Sequence, residues 1–94
     1  MTYVEIKKKL APLFIKVMKD YNLEKLVGNI DVKNSEIVFY LLDEPVLLNK
    51  LVENPVILQD IGSTVSNMPY ITDSYMKYKN GKPYSFHGKL IPIN

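Results

Sequence analysis

The chain contains no cysteine and no arginine. The first absence removes disulfides, thiolate zinc sites, iron–sulfur clusters and cysteine nucleophiles together. A reducing compartment is the simplest setting for such a composition. The second absence means that all 12 basic residues are lysines, so no guanidinium is present to fork onto phosphate, carboxylate or guanine. Histidine is scarce as well. His87 stands alone, which rules out any mechanism needing a histidine cluster and leaves at most a single general acid or base. Nowhere do about 18 apolar residues run together, and Met1-Thr2-Tyr3-Val4-Glu5 lacks the basic-then-apolar pattern of a secretory leader. The chain is therefore expected to be cytoplasmic and free of membrane contact.

At 94 residues with 47% hydrophobic content, the chain is long enough to bury one core and too short to divide into two, so residues 1–94 are expected to form a single domain. A net charge of +2 is too small to imply a polyanionic partner by itself.

Thr2 and Glu5 fit a capping box, placing a helix start at about Tyr3. Apolar residues then recur at Tyr3, Ile6, Leu10, Leu13, Phe14, Val17, Met18 and Tyr21, as on one helical face. Leu10, Leu13, Phe14, Val17 and Tyr21 are expected to be buried, with Lys8, Pro12, Lys16 and Lys19 exposed. Because the register continues through Pro12, which falls near the back of the apolar stripe, one kinked helix is expected rather than two.

After the break at Gly28-Asn29, Ile30–Lys33 alternates as a half-buried strand does, Lys33–Glu36 reads as a turn, and Ile37–Leu42 is apolar on both faces, as a central strand requires. The pair predicts a hairpin. Asp43-Glu44-Pro45 resembles a helix start, with Val46, Leu47, Leu48, Leu51 and Val52 as its buried stripe and Asn54-Pro55 as its end. Val56–Met68 conflicts with itself: Ile57, Ile61 and Val65 have helical spacing, whereas Gly62-Ser63-Thr64 argues for an interruption. Asn80-Gly81 marks a type I′ hairpin turn. A plain two-residue loop would set Lys79 opposite Lys82, Lys77 opposite Tyr84 and Tyr75 opposite Phe86, with Gly88 at a bulge before Leu90, Ile91 and Ile93. The fold predicted is α+β: a kinked N-terminal helix packed on an antiparallel sheet of two hairpins, with a short second helix between them.

No motif carries obvious chemistry. His87, between Phe86 and Gly88 without a neighbouring carboxylate, reads as a solvent-facing structural residue. Asp43-Glu44 is explained by its helix start. Gly62–Ser66 lacks a P-loop lysine and reads as a polar loop, and Lys7-Lys8-Lys9 as a solubilising run. No metal site or cofactor is expected, and an enzyme would need Asp, Glu, Lys, Tyr and His87 to converge in space.

The C-terminal segment is more informative. Residues 70–94 hold four lysines against one acid, and the rest eight lysines against nine acids, so positive charge concentrates in the second hairpin. There Lys77, Lys79 and Lys82 interleave with Tyr75, Tyr78, Tyr84, Phe86 and His87, the candidate binding residues. Such a ribbon can stack on bases while neutralising phosphates. Equally, strands favour aromatics for packing, edge strands use lysine against aggregation, and amphipathic tyrosines anchor protein interfaces. The function expected is a small non-catalytic interaction module, an accessory or inhibitory protein that occupies a partner's surface. The alternative is a nucleic-acid binder using the C-terminal hairpin. An unpaired strand edge or aromatic patch further predicts self-association as a homodimer.

Overall fold

The computed structural model describes residues 2–92, in the order α1 (Tyr3–Asp20), β1 (Val27–Lys33), β2 (Glu36–Leu41), α2 (Pro45–Glu53), α3 (Pro55–Ser66), β3 (Ile71–Lys79) and β4 (Lys82–Leu90). This is the α+β class predicted, with both hairpins in one antiparallel four-stranded sheet of order β1-β2-β4-β3. Ile93, expected in the last strand, lies outside the described residues.

The capping box forms: the Glu5 amide donates to Thr2 Oγ1 at 3.2 Å and the Thr2 amide donates to Glu5 Oε1 at 3.3 Å. Helix α1 runs unbroken through the exposed Pro12. Its buried stripe is Ile6, Leu10, Phe14, Val17 and Met18. Leu13 corrects the sequence reading, being 39% exposed, and Tyr21 is only half-buried, its hydroxyl donating to Asp60 on α3. The stripe is narrower than the apolar pattern because one sheet face and one helix edge are all that α1 covers.

Between the hairpins stand two helices rather than one. Asn54 ends α2, donating its side-chain amide to the Lys50 carbonyl at 2.7 Å, and Pro55 opens α3 at once. Gly62 does not interrupt α3. Burial of Ile61 and Val65 outweighs the cost of about 1 kcal/mol for glycine in a helix. Thr64 turns its hydroxyl back to the Asp60 carbonyl at 2.9 Å, a local bond compatible with helix. The polar loop expected at Gly62–Ser66 is thus the last turns of a helix. In α2 only Leu48 and Leu51 are buried, while Val46 and Val52 face solvent.

The sheet positions the rest. One face carries Ile30, Ile37, Phe39, Leu41, Phe86 and Leu90, which join the buried residues of all three helices in a single apolar cluster. At its centre Phe14 stacks on Phe39 (centroids 4.4 Å apart) and meets Phe86 at 5.7 Å. Strand β2 is central, as its doubly apolar character required. The Asn34-Ser35 and Asn80-Gly81 turns both have positive φ at both positions (52° and 61°; 53° and 76°), as type I′ turns demand.

The second hairpin's register departs from the expected one. Lys79 pairs with Lys82 and Tyr78 with Pro83, but Lys77 then pairs with Ser85 and Tyr75 with His87. Pro83 has no amide to give to the ladder, the register shifts beside it, and Tyr84 becomes the extra residue of a bulge. Gly88, by contrast, sits in regular pairing with Ile37 and Ser74. A Cβ there would lie 2.5 Å from Ile71 Cδ1 and 3.3 Å from Ile37 Cγ2, so its glycine serves close packing instead of a bulge.

Candidate functional site on the open face of the sheet

Because cross-strand partners share a face, the pairings Asp31–Val38–His87–Tyr75, Lys33–Glu36–Lys89 and Tyr40–Ser85–Lys77 place these residues on the side opposite the helices. Val38 is buried yet stands outside the main apolar cluster, which marks this side as a separate, shallower layer. The bulge at Tyr84 also serves this face: its ring meets Tyr40 edge-on at 5.7 Å.

Beneath the rings lies a chain of polar groups. Tyr75 donates its hydroxyl to both Glu36 carboxylate oxygens at 2.6 and 2.7 Å. His87 Nδ1 lies 3.2 Å from Glu36 Oε2, and its Nε2 lies 2.7 Å from Ser85 Oγ. The Tyr75 ring stacks on the imidazole at 4.6 Å and 13°. Burial pushes the His87 pKa down, against the pull of Glu36 and with the help of Lys77 and Lys33, so the ring is neutral near pH 7. Burial opposes ionisation of Glu36, but the hydrogen bonds from Tyr75 and His87 outweigh it and hold the carboxyl below its ordinary value. The hydrogen bond to Glu36 raises the Tyr75 pKa to about 12. Together these fix the network: Nδ1–H donates to the carboxylate, Nε2 accepts, and the Ser85 hydroxyl donates to Nε2.

The connectivity Ser85–His87–Glu36 is that of an acyl-transfer relay. Ser85 is 0% exposed in this arrangement, whereas a reacting carbonyl must come within about 3–3.5 Å of a nucleophile. The network instead ties β4 to β2 and β3 and forms the floor of a cleft.

That cleft, about 220 Å³, is bounded by Lys33, Tyr40, Lys77 and Tyr84 over Val38, Ser85 and His87. Lysine ammoniums attend three of the rings: Lys33 over Tyr40 at 5.4 Å, Lys79 over Tyr84 at 5.4 Å and Lys89 over Tyr75 at 6.0 Å. The Tyr40 hydroxyl raises the Lys33 pKa. Among the described residues none of Lys33, Lys77, Lys79 and Lys89 forms an ion pair.

Of the residues singled out from sequence, Lys77, Tyr78, Lys79 and Tyr84 are exposed, and Tyr75 and Lys82 are partly so. Phe86 is in the core, and His87, expected to face solvent, is 5% exposed. Its carboxylate partner is Glu36, supplied by another hairpin across the sheet. Glu36, Tyr40, Lys33 and Ser85 join the site without a motif of their own. Their signal was available in part: Lys33 and Glu36 flank the first turn, and Pro83 foretells the bulge that brings Tyr84 to Tyr40. Among the described residues no group of three or more metal-ligating side chains forms, and no helix is long and apolar enough to cross a membrane. No family model matches this chain, and neither a curated protein nor a solved structure matches it.

Proposed function

We propose that the chain is a small non-catalytic binding module whose working surface is the open face of the sheet, and that its ligand is single-stranded nucleic acid. The observation that carries this reading is the set of three tyrosine rings, Tyr40, Tyr75 and Tyr84, displayed on a face without a helix, each with a lysine ammonium at 5.4–6.0 Å. Bases stack on such rings, and the ammoniums are free to meet the phosphates that follow. Lysine suffices for this, since a phosphodiester backbone is held mainly by charge.

Fluorescence anisotropy with a labelled single-stranded oligonucleotide tests the reading. Binding should weaken with salt at a log–log slope of about −2 to −3, from roughly 0.7 for each of three or four lysines. Tyr84→Ala should weaken binding by about 1–3 kcal/mol while leaving the slope nearly unchanged. No binding at about 50 mM salt, where screening is weak, would end it.

A second reading, an accessory protein that occupies a partner's surface, draws on apolar side chains left in solvent on the helical side, Val46 at 70% and Val56 at 78% exposure. Such exposure supports contact with another protein or another copy. Sedimentation over a range of concentrations separates the copy from a foreign partner.

A further inference from the structure

We infer that the cleft over Ser85 and His87 is a site for one nucleotide held through both of its flanking phosphates, Lys33 meeting one and Lys77 the other. The inference rests on the nucleic-acid reading of the open face and specifies its central subsite. Lys33 and Lys77 are rooted on β1 and β3, the two outer strands of the sheet, yet both line the same 220 Å³ cleft. Neither has a carboxylate partner among the described residues. Two cations from opposite edges of the sheet that line one cleft together with the Tyr40 and Tyr84 rings fit a ligand with two anionic groups and a planar group branching from the spacer that joins them. A nucleotide with phosphates on its 5′ and 3′ oxygens has that form.

The floor is compatible with this occupant. The Glu36 carboxylate, the one negative group lining the cleft among the described residues, is engaged by the Tyr75 hydroxyl and the His87 N–H. Val38, buried beside it, makes that part of the floor apolar. The ring of Tyr84, partly exposed and braced by Tyr40, offers the stacking surface. A monophosphate would satisfy only one ammonium, and inorganic phosphate would leave the rings uncovered.

The test compares four probes by competition against a labelled single-stranded oligonucleotide: unlabelled oligonucleotide, a nucleoside 3′,5′-bisphosphate, the corresponding 5′-monophosphate, and inorganic phosphate. The bisphosphate should compete roughly tenfold better than the monophosphate, the increment of one charge-assisted contact. Lys33→Gln or Lys77→Gln should each abolish that preference and flatten the oligonucleotide salt slope by roughly 0.7. Lys50→Gln, exposed on α2 on the helical side, should leave the preference intact. Both cleft lysines are exposed, so unchanged circular dichroism will confirm folding. A bisphosphate as tight as the oligonucleotide would identify a free nucleotide as the occupant, and a much tighter oligonucleotide would identify the strand; both support the site. Equal competition by bisphosphate and monophosphate, or a preference that survives both lysine substitutions, overturns it. If the oligonucleotide still binds in that case, only the cleft assignment falls; if nothing binds, the reading of the whole face falls with it.

Discussion

Replacing Glu36 by alanine removes the acceptor shared by two groups that differ in their access to water. The Tyr75 hydroxyl, on a half-buried residue at an outer strand, can be rehydrated. The His87 Nδ1 is harder to rehydrate, since the imidazole is 5% exposed and covered by the Tyr75 ring. An orphaned buried donor costs about 1–3 kcal/mol, and a lost bond to a charged acceptor is of similar size. Because these are largely one loss seen from two sides, Glu36→Ala should destabilise by about 1–3 kcal/mol. That is a large share of the roughly 5–14 kcal/mol available to a chain of this length. Glu36→Gln should cost less. Its carbonyl can still accept from Tyr75, and its amide can donate to Nδ1 if the imidazole moves its proton to Nε2 and donates to Ser85 Oγ. Urea unfolding, followed by circular dichroism and tyrosine fluorescence, measures both. With a slope of about 1–1.5 kcal/mol per molar, Glu36→Ala should lower the midpoint by about 1–2 M. A loss below about 0.5 kcal/mol for alanine, or glutamine as damaging as alanine, would refute the network as described.

Phe14→Ala, which empties the stack on Phe39, should cost about 3–5 kcal/mol, whereas Leu13→Ala, at a largely solvated position, should cost under about 1 kcal/mol; equal losses would mean that α1 packs through another face. Acid should weaken the fold in a defined window. His87 and Glu36 both have pKa values lowered by folding, so their contribution is complete above the unfolded histidine value of about 6.5 and is lost as pH falls through the native values. At the other end, the Tyr75 pKa raised to about 12 means stability that is full below the unfolded value of about 10 and lost as pH rises beyond it; a flat stability profile from pH 7 to 4 would contradict the acid half. Gly88→Ala should destabilise by about 1–3 kcal/mol through overpacking, and Ile71→Val, which deletes the Cδ1 atom 2.5 Å from the new Cβ, should recover part of the loss in the same unfolding assay.

Local signals were the legible part of this chain. The capping box at Thr2 and Glu5, the type I′ turn at Asn80-Gly81 and the doubly apolar β2 each depend on residues close in sequence, and each took the form its chemistry requires. Helix α3 was obscured by Gly62-Ser63-Thr64, where local propensity opposes helix and tertiary burial of Ile61 and Val65 overrides it. The apolar stripes are narrower than the sequence pattern at Leu13, Val46 and Val52, because periodicity locates a face but not the width of what covers it. The site was mostly hidden. His87 and Glu36 stand 51 residues apart, and their meeting depends on β4 lying beside β2 in the sheet, while a one-residue register shift beside Pro83 sets Tyr75 against His87. A slip of that kind changes which residues face one another along the whole remaining strand.

The claim that the open face is the working surface is tested most directly by mapping backbone amide shifts in ¹⁵N–¹H correlation spectra as a single-stranded oligonucleotide is added. Shifts should concentrate at Lys33, Tyr40, Tyr75, Lys77, Tyr84 and their strand neighbours, with α1 and α2 unmoved. Shifts centred instead on the helical side, around Val46 and Val56, or no shifts at low salt, would contradict it.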